Sequence, residues 1–191
     1  MPQVKKPAIR EAILAAAQAL FSARGYNGST LNGIAAAAGV STANLYVYFT
    51  SKLAILFAIY DPWLRQRLER LEREVAARRG ARGRLRHIFG SLWRDIPAEA
   101  DGFANNIVQA LSGASADEPY DPALVRWSEA KIAALIAAAL PPRRREAVDR
   151  ETLAHVMFMA FDGYALNQKL RRGERCSEAA IELFCDLLLA G

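Results

Sequence analysis

Residues 29–49 read Ser-Thr-Leu-Asn-Gly-Ile-Ala-Ala-Ala-Ala-Gly-Val-Ser-Thr-Ala-Asn-Leu-Tyr-Val-Tyr-Phe, and they constrain the fold more than any other stretch of the chain. Two short helical patterns are separated at Gly39, and each is preceded by a residue able to cap it, Ser29 or Thr30 for the first and Ser41 for the second. Leu31, Ile34, Val40, Leu45 and Phe49 are spaced to meet inside the angle between the helices, and Ala35 is small enough to let the second approach closely. A turn this tight needs a backbone conformation that glycine adopts cheaply. The pattern is that of a helix-turn-helix, whose second helix enters a DNA major groove with its N-terminal residues facing base edges. Such units also occur as plain packing elements. On that reading Ser41 is only a cap, and Tyr46 and Tyr48 are half-buried core aromatics.

The rest of the chain reads as all-α. Apolar residues make up 52% of the 191, charged residues 24%, and the alternating β-branched runs that announce strands are missing. Start and stop signals divide it into about nine helices. The first runs over 7–24, closed by Gly25. The next two flank Gly39. A long helix capped by Ser51 carries Leu53, Leu56, Phe57, Tyr60, Leu64, Leu68, Leu71 and Val75 as a seam. Asp61-Pro62 within it marks either a kink or a fresh start. Further helices are expected near 84–96, 102–113, 122–140, 150–172 and 177–190, with Asp121 and Asp149 as start signals and Pro97, Pro141-Pro142 and Gly173 as breaks. The shift from short to long helices places a domain boundary near Lys52: residues 1–52 form a helix-turn-helix head and 53–191 a second helical domain.

If the second short helix is a reading head, its solvent face offers Ser41, Thr42, Ala43, Asn44, Tyr46 and Tyr48. Hydroxyls suit phosphate or a base edge, a methyl packs on thymine, and an Asn carboxamide can pair N6 and N7 of adenine together. Exposed tyrosines can donate to phosphate, and Lys52 adds a point charge at the end of the unit. A net charge of +5 agrees mildly with a polyanionic partner.

From Arg10 to Leu56 the chain resembles the N-terminal domain of TetR-family regulators. The similarity rests on Ile13-Leu14-Ala15-Ala16-Ala17, Leu20-Phe21, Gly25-Tyr26, Ile34-Ala35, Ala38-Gly39-Val40-Ser41, Leu45-Tyr46, Phe49, Ser51-Lys52 and Leu56, in order and in register. The resemblance implies a phosphate contact at Thr30, recognition-helix positions at Ser41, Thr42, Ala43 and Asn44, phosphate contacts at Tyr46 and Tyr48, and a further contact at Lys52. Gly33 and Leu53-Ala54 depart from the pattern where acidic residues are usual, though not at positions expected to face bases. The family also implies a divergent ligand-binding and dimerisation domain, a homodimer, and a small-molecule effector that weakens DNA binding.

The residues beyond the head agree with a paired surface. Val156, Ala160, Gly163 and Tyr164 lie on one helical stripe, Phe184, Leu187 and Leu188 on another, and these are the expected interface. Burial within one subunit accounts for the same pattern. Two heads one DNA turn apart, roughly 34–36 Å, would read a palindromic operator. Phe89, Trp93, Phe103, Trp127 and Phe158 are candidates to line an apolar effector cavity, with Asn106, Asn105, Gln109, His87 or His155 as polar partners. The Arg-rich stretch from Arg78 to Arg86 has the charge to touch DNA or an anion, but reads better as a solvated helix end, since the dimer geometry would hold it away from the groove.

Enzyme signatures are incomplete. Gly28 and Gly33 have phosphate-loop spacing, but Ile34-Ala35 replaces the lysine and hydroxyl that would touch phosphate and magnesium. Glu151 and His155 lie one turn apart with no second pair to complete a metal site. Cys176 and Cys185 read as reduced helical residues. The expectation is a cytoplasmic, non-enzymatic regulator with no cofactor, metal or membrane association. The competing reading is a helical small-molecule-binding or interaction module that has lost DNA binding.

Overall fold

The computed structural model describes residues 6–99, 103–113, 121–170 and 176–190, and every regular element in them is helical. In order these are α1 Pro7–Arg24, α2 Leu31–Ala37, α3 Thr42–Tyr48, α4 Lys52–Ala76, α5 Ala81–Gly90, a π-helical turn Ser91–Asp95 continuing α5, α6 Phe103–Ser112, α7 Ala123–Ala139, α8 Pro142–Arg145, α9 Arg150–Leu170 and α10 Glu178–Leu189. The all-α expectation holds, with ten α-helices among the described residues where about nine were expected. The addition is α8, a single turn begun by Pro142 where the proline pair reads as a break.

Local chemistry fixes the helix ends. Pro7 occupies the first turn of α1, and Gly25 stops it at φ 72°. Side-chain oxygens of Ser51, Asp149 and Ser177 accept from Ala54, Thr152 and Ala180 N–H at 3.0, 3.0 and 3.2 Å, opening α4, α9 and α10. No fresh helix begins at Asp61: α4 runs through Pro62, which has no N–H to offer the carbonyl four residues back. The π-turn was not anticipated. Ile96 N–H reaches Ser91 O, five residues back, at 2.9 Å.

The chain divides into two compact units, Met1–Trp63 with Asp101–Ser115, and Leu64–Ala100 with Ala116–Gly191. The first therefore holds α1–α3, the start of α4 and, from far along the sequence, α6. The boundary expected at residue 52 lies inside it. Ile13, Ala17, Phe21, Ile34, Leu45 and Leu56 form its centre, each at most 1% exposed. Truncating any of the larger ones to alanine costs on the order of 2–5 kcal/mol.

The second unit is built around α5, α7 and α9, with α10 laid on α5. Phe89 and Trp93 are buried against each other at 4.8 Å and against Phe184 at 5.7 and 4.7 Å between ring centres. The arginine run is not a free solvated end. Arg82 pairs with Glu182 at 2.8 Å and Asp186 at 2.6 Å, while Arg86 pairs with Glu178 and, at 2.7 Å, with Glu182. Exposed pairs of this kind contribute little stability, but they fix how α10 sits along α5.

Candidate nucleic-acid interface

The reading head depends on the turn between α2 and α3. Gly39 takes φ +69° there, and Val40 N–H donates to Ala35 O at 3.0 Å. No atom lies within 4 Å of where a Cβ would stand on Gly39, so backbone conformation, not crowding, is what favours glycine. Leu45 anchors α3 inward and Phe49 closes it at 6% exposure, with the Arg10 guanidinium 5.4 Å from the Phe49 ring centre.

Thr30 and Ser41 act as caps. Thr30 Oγ1 accepts from Gly33 N–H at 3.0 Å and Ser41 Oγ from Asn44 N–H at 3.1 Å. Both residues are exposed, and each hydroxyl keeps its own proton to donate, so capping and phosphate contact are compatible. Ala43 and Tyr46 are exposed, Tyr46 at 52%, and stand with Ser41 on the open side of α3. Thr42 is half-buried and donates to Asn32 Oδ1 at 3.0 Å, tying α3 to α2. Asn32 is exposed beside the recognition helix and was not singled out from sequence, because only the turn geometry brings it there.

Three expected contacts are placed differently. Asn44 is half-buried, and its Oδ1 is shut from solvent with no hydrogen-bond partner among the described residues. A bidentate grip on adenine needs both ends of the carboxamide, so this arrangement does not present Asn44 ready to read a base. Tyr48 is also half-buried; its hydroxyl accepts from Lys6 N–H at 2.9 Å at the start of α1, which leaves its proton to donate. Lys52 turns into the head. Its Nζ donates to Tyr26 O and Ser29 O, each at 2.9 Å, and lies 4.0 Å from the Tyr26 ring centre. The point charge expected to face a duplex instead clasps the turn after α1.

α6 clasps the same turn from another side. Asn106, 2% exposed, accepts from Tyr26 N–H at 2.9 Å and donates to Phe21 O at 3.2 Å. Gln109 accepts from Asn27 N–H at 3.5 Å. Both ends of the Asn106 amide are thus occupied by the head, which removes it from the polar lining expected of an effector cavity. A Cβ on Gly25 would stand 3.2 Å from Gln109 Oε1, so the approach of α6 adds to the demand its φ makes for glycine.

The remaining effector candidates do not share one wall. Phe89 and Trp93 are packed as described, with Trp93 Nε1 donating to Met157 O at 3.2 Å. Phe158 stacks near Phe161 at 6.0 Å, and Trp127 lies under the Arg65 guanidinium at 4.3 Å. The Phe103 side chain lies outside the described residues. A cleft of about 380 Å³ opens elsewhere in the second unit, between the α4 face Arg67–Arg70–Leu71–Glu74–Arg78 and the segment carrying His87, Ser91, Asp95, Ile96 and Glu99. Of the sequence candidates only His87 borders it. Among the described residues no cluster could hold a metal ion, and no single helix is long and apolar enough to cross a membrane. His155, expected as a possible partner of Glu151, faces Glu129 at 2.6 Å.

The expected interface residues divide. Val156, Gly163 and Leu187 are exposed and Ala160 is half-buried. Tyr164 leans on Trp93 at 6.0 Å between ring centres, and Phe184 and Leu188 face inward. Met159, Leu166 and Leu183, outside the expected set, are exposed as well, at 46, 42 and 56%. Val156, Met159, Gly163 and Leu166 now form one apolar line along α9, with Leu183 and Leu187 a turn apart on α10.

Residues 13–59 match the family described as bacterial regulatory proteins, tetR family. The HTH-type transcriptional regulator RutR of Escherichia coli K12 is 48% identical over 59 residues, 29% of this chain and 28% of that protein. The chain thus aligns with little over a quarter of the length of the curated relatives it matches. Similarity of fold extends much further. A TetR-family transcriptional regulator from Pectobacterium atrosepticum superposes with a TM-score of 0.65 at 23% identity, over 95% of this chain and 94% of that one. The transcriptional regulator FadR from Bacillus subtilis, solved in complex with stearoyl-CoA, gives 0.63 at 17% identity, over 95% and 98%.

Proposed function

The chain belongs to the TetR family of bacterial regulatory proteins, and from that premise we propose that it is a ligand-responsive repressor that binds a palindromic operator as a homodimer. The family is one of transcription regulators, not enzymes. The observation that carries the reading is the presentation of α3: Leu45 is wholly buried while Ser41, Ala43 and Tyr46 stand open on the opposite side. A packing element would have its aromatic covered.

In this reading Ser41, Thr42, Ala43 and Asn44 face bases, Thr30, Tyr46 and Tyr48 hold phosphates, and Lys52 sets the position of the head from inside. The unpartnered Oδ1 of Asn44 supports a side chain that turns outward on DNA, since a base edge would relieve a buried acceptor left without a donor. The apolar line on α9 and the leucines of α10 support a symmetric interface, because exposed apolar side chains at helical spacing gain most by covering one another. The stearoyl-CoA complex of the similar Bacillus regulator supports a small-molecule effector. Effector and operator then favour different conformations, and each lowers affinity for the other.

The test is titration of duplexes from the flanking intergenic DNA, followed by anisotropy, with wild-type protein, Ala43→Glu with Tyr46→Ala, and Met159→Glu with Leu187→Glu. The head variant should remain dimeric and lose affinity by about tenfold or more. The interface variant should sediment as a monomer and lose affinity for the two-half-site duplex. Unchanged binding by the head variant would refute the interface assigned to α3, and a wild-type monomer at micromolar concentration would refute the dimer. Wild-type protein that binds none of these duplexes would favour the small-molecule module without DNA binding.

A further inference from the structure

The cleft between α4 and the α5–π segment has an uneven supply of hydrogen-bonding groups. Its carboxylates are already engaged. Arg67 grips both oxygens of Glu99, at 2.6 and 2.8 Å; Arg70 and His87 take the two oxygens of Glu74, at 2.7 and 2.8 Å; and Arg94 pairs with Asp95 at 2.9 Å. The Arg70 guanidinium, beside Glu74, holds that carboxyl below the ordinary carboxylate range, so it stays an anion. Besides one oxygen of Asp95, what remains unused is a set of donors. The Arg78 side chain has no partner among the described residues, Arg70 bonds only through Nε, and the Ser91 hydroxyl has none although the residue is 7% exposed. The wider rung from Ile96 N–H to Ser91 O lies in the wall that carries Ser91 and Asp95, and π-turns gather at functional sites. Leu71 and Ile96, at 2 and 6% exposure, supply an apolar floor.

We propose that this cleft is the effector site and that its ligand is a small organic anion, a carboxylate on a short apolar body, held by Arg78, the outer nitrogens of Arg70 and the Ser91 hydroxyl. The inference rests on the effector reading above and gives it a chemical class. The donors match the acceptors of a carboxylate, since a guanidinium presents parallel N–H groups at the spacing of its two oxygens. A cleft of about 380 Å³ is at the small end of ligand pockets, so a long-chain acyl-CoA is too large for it.

The test is calorimetric titration of the full-length protein, without DNA, with butyrate, benzoate and succinate, with the matching amides, with inorganic phosphate and with stearoyl-CoA. Wild-type protein should bind at least one of the acids, with its amide weaker by about tenfold or more. Arg78→Ala and Ser91→Ala should each weaken that acid, Arg78→Ala by about tenfold. Arg78 is exposed and Ser91→Ala removes only a hydroxyl from a buried side chain, and circular dichroism of both variants checks that they fold. No binding of any acid at millimolar concentration, equal binding of acid and amide, or an affinity untouched by Arg78→Ala would each overturn the proposal. Stearoyl-CoA binding more tightly than every acid, or phosphate binding as tightly as the acids, would overturn the ligand class. Operator release is then measured separately with the acid that binds: binding without release would leave the site standing and refute the effector reading.

Discussion

Replacing Lys52 with methionine separates two roles that look alike from sequence. Methionine keeps an unbranched apolar stem over the Tyr26 ring and removes only the ammonium group. The structure gives that group two carbonyl acceptors at 2.9 Å and an aromatic face at 4.0 Å. Hydrogen bonds from a charged donor contribute about 1.5–3 kcal/mol each and an exposed cation–π contact about 0.5–1 kcal/mol, before screening at a partly exposed site. Discounting for that screening, Lys52→Met should destabilise the protein by about 2–3 kcal/mol, a fall in Tm of about 4–12 °C for a chain of this size. The second readout is the salt dependence of operator binding, measured by anisotropy across a range of potassium chloride. Removing one cation that neutralises a phosphate lowers the slope of log K against log salt by about 0.9, or roughly two for a dimer. Because the charge is turned into the head, affinity should fall with the slope unchanged. A slope reduced by about two units, with stability intact, would refute the internal role and restore Lys52 to the phosphate backbone.

Asn106→Ala should cost about 2–4 kcal/mol in urea unfolding, because it strands a buried N–H at Tyr26 and removes the donor to Phe21 O; a loss under about 1 kcal/mol would mean that α6 does not hold the head. Burial pushes the Asp162 carboxyl up to about 6 from the usual 3.8, so the folded protein keeps a proton that the unfolded chain has released. Its contribution to stability is therefore full below about pH 4 and is lost as pH rises through about 6. Asp162→Asn removes that loss and should gain up to about 3 kcal/mol at pH 7 and little near pH 4, and an equal gain at both would refute the cause.

The elements whose causes are local could be read from sequence. α1 is bounded by Pro7 and Gly25, α2 and α3 by their own capping hydroxyls and Gly39, and each of these signals acts within four residues. What was not legible depends on distant partners. Lys52 points inward because Tyr26 and Ser29 offer carbonyls, and Asn106 belongs to the head because Tyr26, 80 residues earlier, has an N–H to satisfy. α10 is apolar over most of its girth, so sequence could not say that Phe184 and Leu188 turn in while Leu183 and Leu187 turn out. The aromatics looked like a cavity lining because large rings line pockets and fill cores equally well. Here Phe89, Trp93 and Phe184 fill a core.

The π-turn at Ser91–Asp95 accommodates one residue more than an ordinary helical turn would. A related chain lacking that residue would regain a regular spiral with everything after it facing nearly the same way, because the widened turn only absorbs the extra residue. The wall that now carries Ser91 and Asp95 would be rebuilt from different side chains, while the helix kept its course. On the proposed reading of this cleft as the effector site, single-residue insertions and deletions at this point are a route by which descendants of one regulator come to answer different small molecules without any change in the head.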